Sequence, residues 1–274
     1  MKYLKRLIAL TISGFLFFSC SNKDEPEMIY IQTPPALQHL TIEESMQDDG
    51  IHVKRTENFY YNENHQLIRY VSAQIYGDPS IENETTITYT NNEAIIIDEL
   101  GNKSVYTLNS QGYATRCIRY ETGGNTREYF FNYSTNTLNG AYLTGITEYI
   151  DGEIHSKIIY NNLAVHDATL SAQSGDITNI FQLAFKKENT SRLPWFFLTE
   201  MYPLNFHTIA LYARLLGENP MYLLEAMRPE GGDEITNYTY TTNADGQLSS
   251  CTETIRNNGK SYSRTVNYTV TIAQ

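Results

Sequence analysis

The stretch Tyr240-Thr241-Thr242-Asn243-Ala244-Asp245-Gly246-Gln247-Leu248 reads as strand, tight turn, strand. Aromatic and β-branched residues lead in, and an Asn able to bond its own backbone opens the corner. Gly246 supplies the left-handed backbone that a hairpin needs there. The pattern recurs at Tyr61-Asn62-Glu63-Asn64-His65-Gln66-Leu67 and at Leu108-Asn109-Ser110-Gln111-Gly112-Tyr113-Ala114. Each copy has an Asn three residues before the glycine position and an apolar residue two after it. This is a folding signal, not a catalytic one.

From these hairpins the reading extends outward. Further turn pairs stand at Asn91-Asn92, Gly101-Asn102, Gly123-Gly124, Asn139-Gly140, Asp151-Gly152, Asn161-Asn162 and Asn258-Gly259. Their spacing, mostly roughly ten to sixteen residues, is that of strands joined by hairpins. Between them the chain is rich in Tyr, Thr, Ile and Val, with 22 Tyr against one Trp. In Glu84-Thr85-Thr86-Ile87-Thr88-Tyr89, Ile87 and Tyr89 share one face. Lys157-Ile158-Ile159-Tyr160 reads as buried on both. The expectation is a mainly all-β, antiparallel meander of about a dozen or more strands. So many strands must curl, close into something barrel-like, or be covered.

One region breaks the rhythm. Between about Leu163 and Gly232 the turn signals thin out. Asn205 is placed to cap a helix running to Leu216, with Gly217 as its stop, a short helical insert around 205–216. Leu204, Thr208, Leu211 and Leu215 form one stripe, and Ile209, Tyr212 and Leu216 its neighbour. The insert is expected to cover one open end or the hollow of the sheet. Before it, Trp195, Phe196 and Phe197 form the most aromatic run in the chain. Two readings stand for them: core beside the helix, or a stacking surface for a glycan.

The N-terminus is an address. Lys2, Lys5 and Arg6 precede an apolar run, Leu7 to Phe18, and small Ser19 is followed by Cys20. Residues 1–19 read as a secretory signal, whose apolar run of twelve residues is too short to span a bilayer. Ser19-Cys20 resembles a bacterial lipobox, which implies lipidation of the Cys20 thiol and anchoring to a membrane by several acyl chains. Residues 20–36 read as a flexible tether that opens on the polar, acidic stretch Ser21-Asn22-Lys23-Asp24-Glu25-Pro26-Glu27. Its Lys23-Asp24-Glu25 cluster resembles a surface-export tag of Bacteroidetes-type lipoproteins, against the plainer reading of a solvated linker. Residues 37–274 then form a single β-rich domain. The expected location is the outer membrane, on the cell surface or the periplasmic face.

Removing a leader that carries three basic residues and no acids takes the formal net charge from −11 to −14. An acidic chain with no Lys/Arg cluster argues against nucleic acid. A glycan or an envelope protein remains as a partner. Beyond Cys20, two cysteines remain, Cys117 and Cys251, each five residues after a repeat glycine. An oxidising compartment permits a disulfide between them. The other reading is two small buried side chains.

The Asn-x-x-Gly hairpins resemble the tyrosine-aspartate repeats of Rhs-type β-shell proteins. The wider layout is similar to a family of Bacteroidetes lipoproteins of unknown function with a porin-like β-fold. The features that carry this are the lipobox, the hairpins, the short helix with its exit Leu216-Gly217-Glu218-Asn219-Pro220, and two closing strands. The resemblance implies a fold and an address, and no activity. The chain departs from the pattern at His65, which replaces the turn glycine and leaves that hairpin open to a different turn. The strands also lack the lipid-facing apolar alternation and the terminal aromatic of a membrane barrel.

No catalytic or metal constellation stands out. The six histidines show no metal-ligand spacing, and there is no Gly-x-Ser-x-Gly elbow and no phosphate-cradling glycine loop. No cofactor is expected. The favoured expectation is a non-enzymatic binding or scaffolding domain held at the envelope. One alternative is a glycan-binding accessory of a polysaccharide-uptake system. Another is a hydrolase built on a carboxylate pair such as Asp98 with Glu99 or Asp151 with Glu153.

Overall fold

The computed structural model describes residues 37–46, 52–75, 81–136, 140–161, 167–188, 204–218, 222–244, 246, 248–257 and 259–272. The signal, the tether with Cys20, and Trp195, Phe196 and Phe197 lie outside the described residues. The strands are β1 (Leu37–Met46), β2 (His52–Tyr61), β3 (Leu67–Ile75), β4 (Ile81–Tyr89), β5 (Glu93–Ile97) and β6 (Lys103–Leu108). Then come β7 (Ala114–Tyr120), β8 (Thr126–Asn136), β9 (Gly140–Ile150), β10 (Glu153–Asn161) and β11 (Asp167–Ser174). The last five are β12 (Ile177–Glu188), β13 (Tyr222–Pro229), β14 (Ile235–Thr242), β15 (Leu248–Asn257) and β16 (Lys260–Ile272). Each pairs antiparallel with the next. β1 pairs with β16 from Leu37↔Ile272 to Met46↔Arg264, so the meander closes into a barrel. Closure leaves no free sheet edge.

The corners explain why the hairpins form where they do. In Asn62–Gln66, Asp98–Asn102, Asn109–Tyr113 and Glu121–Asn125 the first N–H donates to the last carbonyl. The fourth N–H donates back to the first carbonyl. In the first three, the leading Asn or Asp side chain also accepts the N–H groups of the third and fifth residues, at 2.8–3.1 Å. The fourth residue is left-handed: Gly101, Gly112 and Gly124 at φ 78, 84 and 90, and His65 at φ 57. His65 therefore makes the same turn as its glycine relatives. The Asn62 side chain supplies the bonds that hold it there. Asp98–Asn102 is a further copy with Asp in place of Asn.

Alternation then sorts the wall. Inward positions carry Leu40 and Ile42 on β1, Phe59 on β2, Tyr106 on β6, Tyr129 and Phe131 on β8, Ile158 and Tyr160 on β10, and Leu183 and Phe185 on β12, all buried. Outward positions carry Thr, Ser and paired charges. Thr252 meets Thr265 and Thr254 meets Ser263, each at 3.3 Å, and ion pairs join Glu43 to Lys54 and Arg69 to Glu84. In β10 the buried residues are Ser156, Ile158 and Tyr160, all on one face. Lys157 and Ile159 are half-exposed, so the strand is buried on one face and not two.

The barrel has a near rim, where β1 begins and β16 ends, and a far rim with the β5–β6, β7–β8, β9–β10 and β11–β12 turns. The insert between β12 and β13 leaves from the near rim. Its described part is a 3-10 turn, Leu204–His207, followed by α1 (Thr208–Tyr212). The expected helix to Leu216 is thus shorter, and His207 precedes it without a side-chain cap. Its end is a Schellman closure. The N–H of Leu215 reaches the carbonyl of Ala210, and the N–H of Arg214 reaches that of Leu211, with Arg214 left-handed at φ 59. Ala210, Leu211, Leu215 and Leu216 are buried in the same cluster as the inward wall residues. The described part of the insert, residues 204–218, packs into the hollow of the barrel.

Candidate functional site: the plugged lumen

The lumen and its plug bring together the buried polar groups of the fold. At the near rim the plug is fixed through backbone. The N–H of Ala114 donates to the carbonyl of Leu215 at 2.7 Å, and the N–H of Glu218 donates to that of Ala141 at 2.8 Å. The hydroxyl of Tyr133 donates to the Ala114 carbonyl at 2.6 Å, and that of Tyr113 to Glu218 Oε1 at 2.8 Å. Midway, Tyr212 packs on Phe59 with ring centroids 4.8 Å apart and on Tyr70 at 6.2 Å. Below these rings sits Glu57, buried and 2.6 Å from Arg55. Burial pushes the Glu57 carboxyl up, against the Arg55 charge and the Tyr212 and Tyr70 hydroxyls.

The tip of the plug is held deeper. Phe206 lies between two guanidinium groups, 5.1 Å from Arg119 and 5.3 Å from Arg127. Those arginines belong to an ion chain crossing the inner wall towards the far rim. Asp98 pairs with Arg119 at 2.7 Å, Arg119 lies 3.7 Å from Glu121, and Glu121 pairs with Arg127 at 2.9 Å. Arg127 then pairs with Glu148 at 2.9 Å. Glu148 is fully buried and also accepts from Tyr129 at 3.0 Å and Ser156 at 2.7 Å. Burial pushes the Asp98 carboxyl up, but hydrogen bonds from Asn102 and Arg119 outweigh it and hold the group below its ordinary range.

His207 is the buried centre of this end. Tyr106 Oη lies 2.7 Å from its Nδ1. Its ring meets Tyr129 edge-on at 4.3 Å and Phe131 edge-on at 5.2 Å. With the phenol donating, the ring proton sits on Nε2, which has no hydrogen-bond partner among the described residues. Edge-on packing lets such an N–H face an aromatic ring. Burial, reinforced by the Arg119 charge, pulls the imidazole down to about 3. An unfolded histidine takes up its proton near pH 6.5 and the folded one only near 3, so acid favours the unfolded chain throughout that window. The stability this residue contributes is complete above about pH 6.5 and falls by about 2 kcal/mol between pH 7 and pH 5. Denaturation midpoints should drop over that range, and His207→Phe should flatten the slope. An unchanged slope in the variant would contradict a buried neutral imidazole.

What this arrangement can do chemically is hold a plug. Burial pushes the Cys117 thiol up to about 12, so it is no nucleophile at ordinary pH. Among the described residues no three His, Cys, Asp or Glu are grouped to hold a metal ion. Cys117 and Cys251 are free thiols on β7 and β15, strands half the barrel apart in the closed ring, so the disulfide reading is not met. Cys117 is buried and Cys251 half-buried. Asp98 and Glu99 form no facing pair, since Asp98 turns to Arg119 while Glu99 is exposed. Asp151 and Glu153 are both exposed on the β9–β10 corner.

Several key residues escaped the sequence reading, Glu57, Arg119, Arg127, Glu148 and Phe206, and His207, read with the other histidines as a surface or strand residue, is instead buried in the 3-10 turn. Parity was the available signal. Arg119 shares the inward face with Cys117, and Arg127 shares it with Tyr129 and Phe131. A charge on an apolar face marks an interior partner.

A family described as a domain of unknown function (DUF4595) with porin-like fold matches residues 59–250. A porin-like protein from Bacteroides uniformis, known as a crystal structure, is similar over 87% of this chain and 98% of its own, at 35% identity and a TM-score of 0.79. A porin-like protein from Bacteroides vulgatus, 9% identical with a TM-score of 0.52, covers 86% of this chain and 99% of its own, and shares the fold alone. A search of curated proteins finds no match. The chain belongs to the family of domains of unknown function with a porin-like fold.

Proposed function

We propose that the protein is a lipid-anchored envelope protein whose barrel is a non-conducting, non-enzymatic display domain standing in water. The observation that carries this reading is the polarity of the wall. A membrane barrel turns apolar residues out and polar ones in. This wall instead packs its apolar cluster inward against a plug, and sets Thr ladders and charge pairs among the residues of its outer face. Lys54, Arg69 and Arg116 all lie on the outer face. A Lys or Arg at the bilayer midplane costs roughly 2–4 kcal/mol, so such a wall is disfavoured in acyl chains. Attachment then falls to Cys20 and its tether, which the signal sequence and the lipobox resemblance support.

Two measurements test this. Cells supplied with labelled palmitate should mark the wild-type chain, and Cys20→Ser should lose the label. The full chain added to a planar bilayer should give no channel steps. Discrete conductance would overturn the display-domain reading, and label retained by Cys20→Ser would overturn the anchor.

A further inference from the structure

We propose that the far rim between β5 and β12 is a docking surface for a protein partner whose contact face combines basic and apolar side chains. Large apolar side chains gather there in the open: Leu100 and Ile177, each 67% exposed, and Ile154, Tyr120 and Ile97, at 52%, 46% and 43%. They stand on successive corners of one arc. Ile97 and Leu100 belong to the β5–β6 corner, Tyr120 ends β7, Ile154 begins β10 and Ile177 begins β12. The arc continues down the outer wall. Ile154 is the register partner of Tyr149, whose ring meets Phe130 edge-on at 5.5 Å.

Charge selects the partner. Among the described residues of this arc, Glu99, Asp151, Glu153 and Asp176 are exposed against one exposed lysine, Lys103. The nearby arginines, Arg119 and Arg127, are committed to the inner ion chain. Apolar anchors ringed by carboxylates match a face of the opposite sign with apolar tips of its own. Like charges would meet if two copies joined rim to rim, and an anionic lipid surface would be repelled. The arc lies on the rim opposite the one where β1 begins at Leu37. This deepens the display-domain reading and rests on it for where the rim faces.

The test uses the purified full-length chain and defined probes. A short amphipathic helix of leucine and lysine should bind, measured by fluorescence anisotropy. The same pattern in leucine and glutamate should not, nor should a serine and lysine version, nor phosphatidylglycerol vesicles. The triple substitution Leu100→Ser, Ile154→Ser, Ile177→Ser keeps every charge and should weaken binding about tenfold or more. Tyr60→Ser, an exposed aromatic towards the near rim, should leave it unchanged. No binding of the leucine and lysine helix overturns the proposal. So does undiminished affinity in the triple variant, an equal loss in Tyr60→Ser, or preferential binding to the vesicles. None of these outcomes bears on palmitate labelling at Cys20, so the anchor and the docking surface fail separately.

Discussion

Replacing Glu148 by alanine should cost about 3–5 kcal/mol, the usual penalty for breaking a buried ion pair by removing one partner. Glu148 has no exposure and ties its own strand to both neighbours: it meets Arg127 at 2.9 Å and Tyr129 at 3.0 Å on β8, and Ser156 at 2.7 Å on β10. The substitution removes one of the carboxylates paired with the Arg127 charge beside Phe206, the other named one being Glu121. The tip of the plug should loosen as the wall weakens. A domain of ordinary stability has about 5–15 kcal/mol in total, so much of the margin would go. Urea denaturation followed by tyrosine fluorescence measures it. A companion variant, Glu84→Ala, removes the exposed pair with Arg69 and should cost under about 1 kcal/mol. Similar losses in the two would contradict the weight given to the buried chain.

Gly217→Ala should cost about 2–5 kcal/mol, from two sources. The residue is left-handed at φ +86, where an L side chain costs roughly 1–2 kcal/mol. A Cβ would also lie 2.6 Å from the carbonyl oxygen of Ala141 and 3.1 Å from the Tyr133 ring. That carbonyl cannot give way freely, because it accepts the N–H of Glu218 at 2.8 Å. Overpacking of this kind adds about 1–3 kcal/mol. Gly112 separates the two terms. It has nearly the same backbone, φ +84, and nothing within 4 Å of a built Cβ. Gly112→Ala should therefore show the conformational cost alone. Equal losses at the two sites would mean that the exit of the plug is not pressed against β9.

Much of this fold was legible from its corners. Asn62 and Asn109 mark hairpins because a side-chain oxygen closes a five-residue loop, and Asn243 because its carbonyl accepts the Gly246 N–H. Those bonds depend on nothing distant. Closure of the barrel was not legible, because the β1–β16 pairing joins the two ends of the domain and leaves no local mark. The insert was readable as helical from its apolar stripes. Its shortening was not, because Leu215 lends its carbonyl to Ala114 on a strand about a hundred positions earlier. The aromatic run at Trp195 drew attention as a candidate site, yet the groups that the structure joins around the plug are Phe206, His207 and two arginines. Their partners are set by which strands lie side by side, and a reading confined to sequence neighbours passes over them.

The most direct test of a plugged barrel is hydrogen exchange on the full chain in water. The account predicts that the amides of Ala213, Arg214 and Leu215, with that of Ala114 which bonds the plug, exchange as slowly as those of β8 and β9. They should open together with the wall. Exchange of the plug amides at the rate of the exposed corner residues, while the strands stay protected, would show an insert outside the lumen and contradict the account.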